Sequence, residues 1–131
     1  MSYWVGKVTE IRVTKDDFAW LLIQWYFRKA DVNDYSVTIN GDPGTSQKKA
    51  IDVLINQLGD SEVVKSDSWD VVSPMTVKEV VSLIQLPDNA TVVLKPSKGV
   101  LFSRFDATVN ASERKMNIQT SYKGFEGFSS I

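Results

Sequence analysis

The stretch Phe18-Ala-Trp-Leu-Leu-Ile-Gln-Trp-Tyr-Phe27 is the most apolar part of the chain, and it decides the fold prediction. Its length would permit a helix, but its aromatic and branched side chains favour a β-strand. A polar turn, Lys15-Asp16-Asp17, comes just before it. Because apolar residues stand at nearly every position, we expect a central strand that is covered on both faces.

The preceding segment, Trp4 to Val13, has an alternating pattern. Its odd-numbered positions, counted from Val5, are mainly apolar, whereas the even-numbered positions are mixed. This alternation is typical of a half-buried strand. Since a polar turn separates the two apolar segments, we predict that they form a β-hairpin.

A helix is predicted in the middle of the chain. Turn residues are concentrated between Asn40 and Gly44. Thr45 or Ser46 can then cap a helix whose apolar residues recur at helical spacing until Gly59 ends it. A second helix stays open, because the segment from Thr76 to Leu86 fits either a helix or a strand.

Several shorter apolar runs predict further strands, and the polar residues between them predict turns. We expect a turn from Arg28 to Asn33 and a polar bend from Lys65 to Ser68. The predicted strands are Tyr35–Ile39, Glu62–Val64, Trp69–Val72, Ala90–Leu94, Val100–Val109 and Met116–Thr120. The fold class is therefore mainly β: a bent antiparallel sheet or distorted β-barrel with one or two short helices.

Composition limits the chemistry that the chain can perform. With 131 residues, it is expected to form a single domain, 1–131, with a core at about 3–120 and a tail, 121–131, that is either docked or frayed. The absence of cysteine and histidine excludes disulfides, thiolate nucleophiles, imidazole bases and histidine-ligated metals. We therefore expect no enzymatic activity, no cofactor and no metal site.

Charge and hydropathy bear on the partners and the compartment. The chain has 15 basic and 16 acidic side chains, so wholesale phosphate binding is not expected. No apolar run approaches the ~18 residues that span a bilayer. The N-terminal residues lack the apolar core of a signal peptide, which predicts an intracellular protein.

Aromatic side chains are the most informative candidates for a binding site. Trp4, Trp25 and Phe27 fall near the ends of the two predicted hairpin strands, and the last two project from the same face because they are two residues apart. Such rings often fill a core. Alternatively, their faces bind a cation such as methylated lysine, and Asp31 or Asp70 nearby would add favourable charge.

Four sequence blocks, in order, resemble the bromo-adjacent homology (BAH) domain. The family typically opens with aromatic-Val-Gly-Arg-Ile, continues with Val-x-Trp-Tyr-Tyr-Arg-Pro-Glu-Glu and Glu-Leu-x-x-Ser-x-His-x-Asp, and ends with an aromatic strand and an Asp. The third block looks particularly like fungal members. The matching blocks here are Trp4-Val-Gly-Lys-Val-Thr-Glu-Ile11, Ile23-Gln-Trp-Tyr-Phe-Arg28, Glu62-Val-Val-Lys-Ser-Asp-Ser-Trp-Asp-Val-Val72 and Phe102-Ser-Arg-Phe-Asp106.

The resemblance implies a β-barrel-like, non-catalytic chromatin module in the nucleus. Some family members read methylated lysines on histone tails through an aromatic cage, and others bind the nucleosome or another chromatin protein. The partners implied are a histone tail peptide or nucleosome, with nucleic acid bound only through the nucleosome, and the expected state is a monomer. Carried over, the cage residues are Trp4, Trp25 and Phe27, and the acidic and peptide-path residues are Asp31, Ser68 and Asp70.

Three departures from the family pattern affect this site. Lys29-Ala30-Asp31 replaces Pro-Glu-Glu, Phe27 replaces a tyrosine, and Ser68 replaces a histidine. The rings therefore survive, while some polar groups that would hold a peptide are lost.

Two other interpretations stay open. One is a protein-interaction scaffold with a degenerate cage, whose partner binds at the Lys48-Lys49 helix or at the tail residues Phe125 and Phe128. The other is weak nucleic-acid binding through clustered basic residues, which the net charge of −1 argues against.

Overall fold

The computed structural model describes residues 4–41, 52, 56, 58–87 and 99–120. Strands dominate this part of the chain. Its elements are β1 (Val5–Val13), β2 (Ala19–Arg28), α1 (Lys29–Asn33), β3 (Ser36–Ile39), β4 (Val63–Val72), a 3-10 turn (Pro74–Thr76), β5 (Ser82–Gln85), β6 (Val100–Ser103), β7 (Asp106–Asn110) and β8 (Lys115–Gln119). The prediction of a mainly β fold is confirmed.

A six-stranded sheet has the order β1-β2-β4-β7-β8-β3. The pairs β1–β2, β2–β4 and β7–β8 are antiparallel, whereas β4–β7 and β3–β8 are parallel. A small second sheet pairs β5 with β6 in parallel. Within the described residues, β1 and β3 end the large sheet at opposite edges, so the sheet does not close into a barrel.

The predicted hairpin and its central strand are confirmed. β2 lies between β1 and β4, and the neighbouring side chains of Tyr26 and Phe27, which point to opposite faces, are both buried. β2 therefore carries core residues on both faces, as its nearly continuous apolar sequence predicted.

The alternation predicted for β1 is interrupted by a β-bulge. Val8 pairs with Ile23, but Glu10 pairs with the next residue along, Leu22, so Thr9 is the extra residue. A bulge changes the phase of a strand. For this reason Val8, before the bulge, shares a face with Ile11 and Val13, after it. By alternation Trp4, just before the strand, belongs to this face, whereas Val5 pairs with Tyr26 on the opposite face.

Other local predictions need correction. The turn expected at residues 28–33 is the short helix α1, which Asp31 caps by accepting a hydrogen bond from the Arg28 amide (3.0 Å). Residues 63–72 form one continuous strand rather than two strands around a bend. The strand expected at 100–109 is split into β6 and β7. The segment from Thr76 to Leu86, whose sequence fits either a helix or a strand, contains the strand β5.

Some predicted elements lie outside the described residues. They are most of the helix between Thr45 and Gly59, which includes the Lys48-Lys49 surface, the strand Ala90–Leu94, and the tail with Phe125 and Phe128.

A buried ion pair ties the start of β4 to the segment between β6 and β7. Arg104 donates from Nε and Nη2 to the two carboxylate oxygens of Glu62, at 2.7 and 2.9 Å. The Glu62 side chain is 1% exposed and the Arg104 side chain 9%. Charge-assisted pairs with two parallel bonds are geometrically specific, so this pair fixes where β4 starts against its neighbours.

Candidate functional site

Trp25 is at the centre of the candidate site because it lies on the strand that carries the core. Its side chain is half-buried and packs against the main hydrophobic cluster, which contains Phe27, Val64 and Phe105. The cluster therefore supports one side of the indole and leaves the other side near the surface.

Trp4 lies against Trp25 at the beginning of β1. The two ring centroids are 5.9 Å apart and the ring planes make an angle of 60°, an edge-to-face arrangement. Trp4 is 70% exposed. An edge-to-face pair presents a ring face beside a ring edge. The structure thus brings together two of the predicted cage residues, and one of them is open to water.

Gly6 determines how closely β1 approaches Trp25. It pairs directly with Trp25 across the hairpin. A Cβ atom added at Gly6 would be 3.1 Å from Cδ1 of Ile23 and 3.7 Å from Cε3 of Trp25. A side chain at this position would therefore crowd Ile23 beneath the indole. A glycine inside a strand is the sequence signal for such a close approach.

Phe27, the third predicted cage residue, lies elsewhere. It is 6% exposed and belongs to the main hydrophobic cluster. Its ring makes an edge-to-face contact with Tyr35, with centroids 5.5 Å apart. The structure therefore places Phe27 in the core, within the cluster against which Trp25 packs, and does not place its ring on the open surface beside Trp4.

The strand β4 is irregular where it passes Trp25. Gln24 pairs with Trp69 and Tyr26 pairs with Lys65. Between these two pairs β2 has only Trp25, whereas β4 has residues 66–68. Ser66 joins the two strands here with two hydrogen bonds. Its hydroxyl donates to the backbone carbonyl of Trp25 at 2.7 Å, and its backbone carbonyl accepts from the side-chain amide of the buried Gln24 at 2.8 Å.

Ser68, a predicted peptide-path residue, is held by the same arrangement. Its amide donates to the hydroxyl oxygen of Ser66 at 3.0 Å. It is therefore one hydrogen bond away from the group that contacts the Trp25 backbone. Ser66 and Gln24 were not among the site residues predicted from the sequence, although Ser66 occupies the serine position of the third BAH-like block and Gln24 lies within the second.

The two predicted acidic residues occupy different environments. Asp70 pairs with Ile23 on β2 and is exposed, which puts it on the same face of the sheet as Trp25, two residues farther along β2. Asp31 caps α1, where its carboxylate also lies 4.0 Å from Nε of Arg28. Asp70 is thus the carboxylate placed on the Trp25 face, whereas Asp31 is engaged at the end of β2.

Trp4 and Trp25 are in edge-to-face contact and Trp4 is largely open to water, an arrangement in which an aromatic face can attract a cation. The described residues contain no group of three or more acidic side chains that could hold a metal ion. Their one clear pKa change is at Tyr26, whose buried hydroxyl has its pKa raised by burial and, secondarily, by the charge of Asp106. That hydroxyl points away from the Trp25 face, because it belongs to the adjacent residue of the strand.

The structure matches the crystal structure of the yeast Rsc2 BAH domain with a TM-score of 0.50 and 16% sequence identity. The match covers 87% of this chain and 41% of that one. The fold is BAH-like. At this identity, the likeness to the BAH structure concerns the fold alone.

Neither comparison by sequence gave a match: no family model matches the chain, and no curated protein does. Among the described residues, no helix combines the length and the apolar character needed to cross a membrane.

Proposed function

We propose that this chain is a non-catalytic chromatin-binding module that recognises a methylated lysine of a histone tail with Trp4 and Trp25. The observation that carries the proposal is the edge-to-face pair of indoles with Trp4 largely exposed. A methylated ammonium is attracted to an aromatic face by roughly 0.5–2 kcal/mol per good contact. The BAH-like fold supports the chromatin context.

The charge on the Trp25 face agrees with a cationic ligand. Asp70 is exposed on that face and supplies negative charge near the indoles. In this proposal Ser68 lines the path of the peptide beyond Trp25, and Asp31 marks the opposite end, where β2 passes into α1.

The burial of Phe27 narrows the proposed cage to two rings, the exposed Trp4 and the half-buried Trp25. Phe27 packs in the core, within the cluster against which Trp25 packs, so it contributes to the site through that cluster. A cage of two aromatic rings encloses a methylated ammonium less completely than a cage of three. We therefore expect weak binding that depends strongly on each tryptophan.

The wider context of the proposal comes from the four BAH-like sequence blocks. They support membership of the BAH family, with the third block typical of fungal members, and a nuclear location among histone tails, nucleosomes and other chromatin proteins.

Calorimetry with paired histone-tail peptides tests this function. We expect a trimethylated peptide to bind more tightly than its unmethylated form, because only the former presents a weakly hydrated cation to the rings. Replacing Trp25 with alanine removes a central aromatic anchor worth about 2 kcal/mol or more, so binding should become unmeasurable. Equal affinities for the two peptides would contradict the proposal.

Trp20 provides the matched control. It lies five residues earlier on the same strand, is 44% exposed and pairs with Arg12 on the face opposite Trp25. Trp20→Ala removes an exposed indole of the same strand without touching the proposed site. We expect this variant to bind the methylated peptide as the unmodified protein does.

A protein-interaction scaffold is the second candidate, and the burial of Phe27 together with the exposed side chains on the Trp20 face favours it. Trp20, Trp69 and Val71 are all exposed there. The same two variants distinguish the candidates. Nucleosome binding that Trp20→Ala abolishes and Trp25→Ala preserves would support the scaffold and not the reader.

A further inference from the structure

The outer edge of β1 is an open interaction surface. Within the described residues, β1 pairs with β2 alone, and it is the end strand of the large sheet. Every residue from Gly6 to Val13 is exposed. An edge strand of this length presents unpaired backbone donors and acceptors, and natural proteins usually shorten or cover such an edge.

Apolar side chains add to this edge. Ile11 and Val13 are 64% and 67% exposed, and they share a face with Trp4 because of the bulge at Thr9. The opposite face of the same strand carries Lys7, Glu10 and Arg12. From Gly6 to Val13, β1 is therefore amphipathic, with no element of the described residues covering its apolar face.

The occupant that fits this edge best is a second copy of the chain. We propose that two copies associate through antiparallel pairing of their β1 strands, with the two-fold axis between Val8 and Thr9. In this register Lys7 lies opposite Glu10 of the second copy, and Gly6 lies opposite Ile11. The proposed pair differs from the monomer expected from the sequence, and the oligomeric state in solution distinguishes the two.

The bulge selects the register. Opposed side chains in a pair of strands point to the same side of the sheet, and side chains alternate along each strand. For two identical regular strands related by a two-fold axis, the numbers of two opposed residues must therefore add to an even sum. The extra residue Thr9 reverses the alternation after it, so a pair that joins one half of β1 to the other half must have an odd sum. The proposed register, with a sum of 17, keeps opposed residues of the two halves on the same face. It places Lys7 opposite Glu10 and Trp4 opposite Val13, while Val5 lies opposite Arg12.

Charge distinguishes this register from the neighbouring ones that also match faces. A shift by two residues in one direction places Lys7 opposite Arg12 of the second copy, which is repulsive. A shift in the other direction separates Lys7 from Glu10. In the proposed register each Glu10, which already accepts from Arg12 of its own chain at 2.8 Å, also receives Lys7 of the second copy.

Reversing one charge tests the pairing. Lys7→Glu converts two attractive cross-strand pairs into two repulsive ones, and we expect the dimer dissociation constant from sedimentation equilibrium to rise about tenfold or more. Lys15→Glu is the matched control, because it makes the same charge change at an exposed position in the turn outside the register. The double variant Lys7→Glu/Glu10→Lys should restore association.

A distance measurement tests the geometry separately. The chain contains no cysteine, so Val13→Cys gives one site for a nitroxide label. With a rise of ~3.3 Å per residue, the two labels in the dimer should be roughly 30 Å apart by pulsed electron resonance.

Two results would overturn the inference. One is a protein that stays monomeric up to roughly millimolar concentration. The other is a dimer that Lys7→Glu and Lys15→Glu affect equally, or whose labels are much closer or farther than expected. Neither result bears on peptide binding, which calorimetry measures independently.

Discussion

Two edge-to-face aromatic pairs, almost alike in geometry, lie at opposite ends of one short stretch of β2. Trp4 and Trp25 are 5.9 Å apart at 60°, and Phe27 and Tyr35 are 5.5 Å apart at 69°. The first pair lies at the rim of the sheet with Trp4 exposed, whereas Phe27 in the second is part of the core.

The rim pair, Trp4–Trp25, and the core pair, Phe27–Tyr35, differ in their surroundings. Phe27 is enclosed by the hydrophobic cluster, so its contribution should appear in the stability of the fold. Trp4 is in contact with one indole and with water, so its removal should affect binding and little else. Geometry between rings therefore says less about function than the exposure of their faces.

The largest expected effect is at the core pair. Phe27→Ala leaves a cavity in the hydrophobic cluster and should lower the free energy of unfolding by about 3–5 kcal/mol. Urea denaturation measures this loss. If Phe27→Ala is as mild as Trp4→Ala, the assignment of Phe27 to the core is wrong.

A similar loss is expected where a buried charge loses its partner. Arg104→Ala leaves the Glu62 carboxylate uncompensated in the interior, which should cost about 3–5 kcal/mol. The control is Lys115→Ala, which breaks an exposed pair with Glu113 and should cost less than about 1 kcal/mol. Comparable losses of stability in the two variants would show that burial does not determine how much these ion pairs contribute to the free energy of unfolding.

The rim pair should give the reverse of the Phe27 result. Trp4→Ala should change the free energy of unfolding by less than about 0.5 kcal/mol, because the side chain is mostly in water. In the proposed reader, it should weaken binding of a trimethylated peptide by roughly 0.5–2 kcal/mol. Parallel urea denaturation and calorimetry on one preparation separate the two effects. A large loss of stability would mean that Trp4 belongs to the core.

The smallest expected effect concerns Tyr26, between the two pairs. Its hydroxyl is buried with no hydrogen-bond partner among the described residues, and burial raises its pKa above the ordinary value of 10.0. In the unfolded chain the hydroxyl ionises near pH 10. The stability that this residue contributes is therefore complete below pH 10 and is lost as the pH rises from there through the folded pKa.

Tyr26→Phe isolates that contribution. Removing an unpaired buried hydroxyl should leave stability at pH 7 unchanged or raise it by about 1 kcal/mol. It should also make unfolding less sensitive to pH above 10. Denaturation at pH 7 and at alkaline pH measures both. A variant that is destabilised at pH 7 would show that the hydroxyl is bonded in the folded protein.

Local pattern was enough to predict the hairpin and the mainly β fold, because a continuous apolar run such as residues 18–27 has few alternatives. The pairing of Trp4 with Trp25 followed from their positions at the ends of adjacent strands. The burial of Phe27 could not be read from spacing, since alternation assigns a face but not its depth. The Glu62–Arg104 pair joins residues 42 positions apart, and no local signal connects them.

The extra residue at Thr9 has a consequence for how this strand tolerates change. Deleting Thr9 would place Val8 beside Glu10, opposite the adjacent residues Ile23 and Leu22, so β1 would become a regular strand with Ile11 and Val13 on their present face. Deleting another residue, with both ends of the hairpin kept in register, would move the residues between it and position 9 to the opposite face. A deletion scan along β1 should therefore give the highest yield of folded protein at Thr9 and a lower yield on either side of it. Chain length, and not only chemistry, is encoded in this strand.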